Sequence, residues 1–223
     1  MVIVHHLEDS RSQRVLWLLE ELAIPYEVKR YERDRKTMLA PAELRQVHPL
    51  GKSPVITDGK LTLAETGAIV EYLVDKAGGV LRPPADTPEY LRYRYFLHFA
   101  EGSAMPPLLM KLVFDKIAQA PMPFFVKPVA KAITAKVLQS FVMPNIVRQL
   151  DFLEAELAQR EWFCGKRFTA ADVMMSFPLE AAALRAGLDA ARPRLQGLLV
   201  RMHARPAYRR ALGRGGPYSF ADN

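Results

Sequence analysis

Cysteine is almost missing from this chain: Cys164 stands alone among 223 residues. A single thiol excludes an intrachain disulfide and any cysteine-rich metal site, and makes the reducing cytoplasm the default setting. Long apolar runs are missing too. None approaches the roughly 18 residues that would cross a bilayer, and the opening "MVIVHHL" reads as a strand rather than a signal peptide, so no membrane partner is expected. Repeats and low-complexity tracts are absent. Acidic residues are the minority charge, 24 Asp and Glu against 31 Lys and Arg, for a net charge of +7. The basic excess is dispersed in short groups such as Arg33, Arg35 and Lys36, or Arg205, Arg209 and Arg210, with no aromatic-interleaved face. A solvated surface is therefore expected, and no nucleic acid.

What is present falls into two patterns. Residues 2–6 read as a strand, 11–23 as a helix with one buried stripe (Val15, Leu16, Leu18, Leu19, Leu22), and "YEVKRY" from Tyr26 as a second strand. Strand, helix, strand with short connections predicts a right-handed crossover and a parallel pair. A short helical stretch spans Pro41 to Val47. "SPVITDGKLTLAE" then gives two brief strands around the turn dipeptide Asp58-Gly59, and a helix runs from Thr66 to Lys76. After the Gly- and Pro-rich linker "GGVLRPPADTP", only helical periodicity remains: Tyr90 to Lys116, Phe124 to Arg160 with a kink at Pro144, Ala170 to Arg185, and Leu195 to Leu212. The closing "GRGGPYSFADN" reads as a loose tail. The expected organisation is an α/β domain over residues 1–80 and an all-α helical bundle over residues 87–223.

Local devices account for part of the polar pattern. Ser10 with Gln13 fits a capping box, and so does Thr169 with Asp172, where Phe168 is placed to staple onto Val173. Three stretches nonetheless fall at strand ends or helix starts of the α/β domain: Ser10 to Arg14, Ser53 to Val55, and Ala64 to Thr66. Ligands gather at such ends, and helix N-termini favour anions. Thr66 is either a simple cap or, with the first-turn amides, a seat for a carboxylate whose neighbouring ammonium meets Glu65; together they suit the head group of an α-amino acid. Pro54 removes a backbone donor; in a cis peptide it would turn the Ser53 backbone toward an extended peptide ligand. Lys52 is either a solvated loop lysine or the partner of a second carboxylate.

Taken together, "HPLGKSPVI", "LAETGAIVEYL" and "FTAADVMMSFPL" resemble the glutathione transferases over nearly the whole chain, and "SRSQRVLWLLEEL" is most similar to their serine-type, theta-like bacterial and fungal subgroup. The resemblance implies a thioredoxin-like N-terminal domain with glutathione as co-substrate. Ser10, four residues before Arg14, takes the place of the catalytic hydroxyl, with Ser12 as its rival. Ser53 beside a cis-Pro54 would hold the cysteinyl backbone, Glu65 and Thr66 the γ-glutamyl end, Lys52 the glycine carboxylate, and Glu101 would reach the neighbouring subunit's glutathione in a homodimer. A small hydrophobic electrophile would lie near Met105, Leu109 and Phe114, in the manner of detoxification enzymes that also reduce organic hydroperoxides.

The departures narrow the chemistry. His5 and His6 stand in the first strand where a tyrosine-type member has its phenol; as an isolated pair they are poor evidence for a metal, and no metal is expected. No cysteine lies near residue 10, and the "SSCSWR" pattern of zeta-class isomerases is absent. The alternative to a transferase is a non-catalytic binding or assembly protein on the same fold.

Overall fold

The computed structural model describes residues 1–221. Val2 and Val4 point inward from β1 (Val2–Leu7), which continues through α1 (Ser12–Glu21) into the parallel β2 (Tyr26–Tyr31). A short α2 (Glu43–Val47) leads to β3 (Val55–Asp58) and β4 (Leu61–Ala64), both antiparallel to their neighbours in a sheet of order β2-β1-β3-β4. Asp58 pairs with Leu61, so the hairpin turn is Gly59-Lys60, one residue later than the sequence suggests. Gly59 takes the left-handed φ of 60° that the tight turn requires. α3 (Thr66–Lys76) closes this half.

Among the described residues seven α-helices follow: α4 (Pro88–Phe99), α5 (Met105–Gln119), α6 (Lys127–Val137), α7 (Met143–Glu156), α8 (Ala170–Arg185), α9 (Pro193–Ala204) and α10 (Pro206–Gly215). Two long predicted helices are interrupted. A π-helical turn at Ala100–Ala104 joins α4 to α5 just before Pro106-Pro107, and a second at Leu138–Val142 joins α6 to α7 just before Pro144. Proline cannot donate to the preceding turn and its ring crowds that carbonyl, so a wider turn absorbs the conflict without ending the helix. The predicted helix over Leu195 to Leu212 divides at Arg205, which is extended before Pro206.

α8 is buried along its length from Ala170 to Ala182, and it packs on α1 and α4. α1 is buried on more than one stripe: Ser12, Gln13, Arg14, Val15, Leu16, Trp17, Leu18 and Leu19 are all enclosed, because α8 and α10 cover the face that the sheet leaves open. At the start of α8, the Asp172 carboxylate accepts from the backbone N–H of Thr169 (2.8 Å) and of Phe163 (2.9 Å). Phe168 lies against the rings of Trp17 and Trp162, with the Arg205 guanidinium 3.8 Å from its centroid. Cys164 is buried beside Thr169, and burial pushes its thiol up to about 12, which keeps it protonated at neutral pH.

The tail is not loose. Gly213 to Gly215 belong to α10, while Tyr218 and Phe220 are buried against Met105 and Phe177. Tyr218 donates to the enclosed Glu180 carboxylate (2.6 Å), and Ser219 donates through its N–H and its hydroxyl to Asp9 (2.8 Å each). Of the segment read as a tail, Asp222 and Asn223 lie outside the described residues.

Candidate active site

The sheet topology gathers the three stretches at one edge. β3 is antiparallel to β1, so its start lies beside the end of β1; β4 reverses again, so Ala64 pairs with Val55 at that same end. Leu7 is the hinge of the arrangement. Its N–H donates to Ser53 Oγ (3.2 Å), and its carbonyl accepts from Ser10 Oγ (2.7 Å). Ser53 also donates to the His5 carbonyl (2.9 Å), which ties the cis Ser53-Pro54 loop to the strand.

Ser10 sits outside the helix proper. Asp9 before it takes a left-handed φ of 46°, and the Ser12 N–H donates to Ser10 Oγ (3.3 Å). Gln13 does not reach back: its side-chain amide is buried and unpartnered among the described residues, so the Ser10–Gln13 capping box does not form. Gly215 explains the crowding there, since a Cβ on it would stand 2.5 Å from Gln13 Oε1.

Behind Ser10 runs a line of polar atoms. Ser12 Oγ is 2.8 Å from Ser10 Oγ and 2.8 Å from His6 Nδ1. Ser12 Oγ also donates to the Leu7 carbonyl at 3.4 Å, so both hydroxyls gather on the same strand end. Ser12 is fully enclosed, whereas Ser10, 6% exposed, holds a proton that can turn from Leu7 toward a ligand.

Burial, reinforced by Arg30, holds His6 down at about 4, so it is neutral at pH 7. A depressed histidine contributes stability that is complete above its unfolded value of about 6.5 and is lost as pH falls toward 4. His6→Asn keeps an acceptor near the Nδ1 position without the titration. Between pH 6.5 and pH 5, urea denaturation should therefore shift the stability difference in favour of His6→Asn by about 1.6 kcal/mol. A constant difference across that window would contradict the assignment.

At the third opening, Glu65 holds a φ of 69°, costly for a residue with a side chain and met most often where a site is being shaped. It occupies the N-cap of α3 with its own side chain exposed, and no side chain caps the helix. Thr66 is thus the first helical residue and not the cap. The first-turn N–H groups are left for a ligand, next to Gly67, where a Cβ would meet nothing within 4 Å. Lys52 is exposed and makes no ion pair among the described residues.

Glu101 lies within the π turn, and its carboxylate is taken by Arg14 and, at 3.4 Å, by Arg11, both from the first of the three openings. Arg14 was a landmark in the sequence and nothing more. In the structure its guanidinium also donates to the Met174 carbonyl (2.6 Å), so it joins α1, α8 and the π turn. Its place on the apolar face of α1, four residues before Leu18, was the signal available. Met105, Leu109 and Phe114 do not come together: Met105 packs under the tail, Leu109 is exposed, and Phe114 packs on the main core. Among the described residues no cluster of His, Cys, Asp and Glu is suited to a metal.

Comparison with known proteins agrees with the geometry. The family model for the glutathione S-transferase N-terminal domain matches residues 1–75, and that for the C-terminal domain matches residues 113–206. The chain is 38% identical over 183 residues to "Glutathione S-transferase 3" of Schizosaccharomyces pombe, covering 82% of this chain and 74% of the relative. A glutathione S-transferase from Actinobacillus pleuropneumoniae superposes with a TM-score of 0.81 at 29% identity, over 100% of this chain and 97% of that one. A family member from Pseudomonas fluorescens, solved with two glutathione bound, gives 0.74 at 27% identity over 95% and 92%. On the fold, the edge of the sheet where the three openings meet, and these matches, the chain belongs to the glutathione S-transferase family.

Proposed function

We propose that the edge formed by Ser10, Ser53-Pro54 and Glu65-Thr66 binds glutathione and activates its thiol for attack on a hydrophobic electrophile. The observation that carries this reading is the convergence of Ser10 and Ser53 on Leu7, one strand pairing away from the uncapped start of α3. The γ-glutamyl carboxylate would take the Thr66 hydroxyl and the free amides of α3, with its ammonium on Glu65; Ser53 beside Pro54 would meet the cysteinyl backbone, and Lys52 the glycine carboxylate. Glu101 enters through Arg14 and Arg11, which occupy its carboxylate. A homodimer and a cytoplasmic setting accompany the reading and rest on family membership.

The chemistry follows from acidity. A free thiol near pKa 8.5 is only a few per cent ionised at neutral pH, and the thiolate is the nucleophile. The Ser10 O–H, turned from Leu7 to the sulfur, stabilises the anion, and each unit of depression corresponds to about 1.4 kcal/mol.

The test pairs binding with turnover. Glutathione at about a hundred times its dissociation constant should raise stability by about 2.7 kcal/mol, seen as a higher Tm, and the chain should conjugate an aryl halide. No thermal shift would remove the glutathione site. A shift with no turnover toward any aryl halide or hydroperoxide would favour the binding-protein alternative.

A further inference from the structure

The α5–α6 hairpin carries apolar surface that the proposed site does not use. At its tip Phe124 is 87% exposed and Phe125 68%; they touch each other edge to face, with centroids 5.6 Å apart. Pro121, Pro123 and Pro128 bracket the pair and restrict the backbone that presents it. Behind the tip the exposure continues along both helices. Leu109, Val113 and Ile117 recur every fourth residue on α5, Val126 caps the start of α6, and Val129 and Ile133 follow along it. Exposed apolar residues gathered on one hairpin mark an interaction site.

Charge narrows the partner. Between Met105 and Val142 there are five lysines and one acid, Asp115, which is already paired with Lys111 at 2.7 Å. Lys116, Lys127, Lys131 and Lys136 make no ion pair among the described residues, and all four are exposed around the tip and its flanks. A symmetric contact between two copies through this face would set like cations against one another. An anionic lipid surface satisfies both features at once: phenyl rings and branched aliphatics enter the headgroup boundary while lysine stems lie along it and keep their ammonium groups at the phosphates.

We infer that the Phe124-Phe125 tip of the α5–α6 hairpin docks the protein peripherally on an anionic phospholipid bilayer. The docking is superficial. No helix among the described residues is long and apolar enough to cross a membrane. The inference is independent of the proposed glutathione chemistry, whose residues lie elsewhere.

The full-length chain is sedimented with vesicles of phosphatidylcholine alone and of phosphatidylcholine mixed with phosphatidylserine. It should partition onto the mixed vesicles and much less onto the neutral ones. Phe124→Ser with Phe125→Ser should lower partitioning by about tenfold or more, and Lys127→Gln with Lys131→Gln by about fivefold per charge, with turnover unchanged in solution. Phe125→Trp should show blue-shifted emission on vesicles, a clean readout because Trp17 and Trp162 are buried. The inference is overturned if the chain stays in the supernatant, or if the serine variants partition as the parent does. It is also overturned if those variants instead abolish self-association in the absence of lipid, or if duplex DNA displaces the chain while the Trp emission stays unshifted.

Discussion

Ser10→Ala should slow glutathione conjugation at pH 7 by about a hundredfold, the scale of losing one donor to a developing anion, with little change in KM for glutathione. The substitution removes one oxygen and one proton. Nothing nearby replaces them: Ser12 Oγ, 2.8 Å behind, is fully enclosed and held between His6 Nδ1 and the Leu7 carbonyl. The loss should depend on pH in one direction. As pH rises past the free thiol value of about 8.5, sulfur ionises without help and the variant's rate should climb toward that of the parent. The absorbance of bound thiolate, titrated in both proteins, gives the same quantity without turnover. Ser12→Ala removes only a neutral hydrogen bond behind the donor and should cost about fivefold. Equal rates for the parent and Ser10→Ala would dismiss the assigned role; a larger loss in Ser12→Ala would transfer it.

The second large effect is on stability. Arg14→Met should cost about 3 kcal/mol, the lower part of the range for breaking an enclosed ion pair. For a chain of this size that corresponds to a fall of about 10 °C in Tm. Arg14 is 1% exposed while Glu101 is 30% exposed, so the orphaned carboxylate can recover some hydration and the higher costs do not apply. What remains is the Met174 carbonyl without its donor and a helix no longer fastened to α8. Glu101→Gln alone should cost less. The double variant Arg14→Met with Glu101→Gln should fall well short of the sum, since each single change already breaks the same contact. Strict additivity would show that Arg14 acts through Met174 and packing alone.

The strands and helices of the first half were legible because their signals are local: alternation in "VIVHHL", a helical stripe after Gln13, a turn dipeptide near Gly59. The cluster of three openings was also legible, since strand ends can be placed from order alone. What the sequence hid depends on distance. The partner of Arg14 lies 87 residues away and that of Asp9 lies 210 away, so neither pairing leaves a pattern in any window. Gln13 looked like half of a capping box because spacing carries no information about Gly215, whose backbone claims the space. Proline was the reverse case. The break at Arg205-Pro206 follows from a rule about the residue before proline, whereas at Pro106-Pro107 the chain had a way to continue that periodicity does not show.

That continuation gives the helical half something like a reading frame. A π turn holds one residue more than regular winding needs, and each residue turns an α-helix by about 100°. Deleting a single residue from Ala100–Ala104 would take up that slack: regular winding would return and α5 would keep its orientation on α4, with Leu109, Val113 and Ile117 still facing out and Leu108 and Met110 still packed on the core. Deleting a second would find no slack and would turn the whole of α5 by about 100°. A change of length in this helix is absorbed once; after that it is felt along every residue that follows, as a frameshift is in a message.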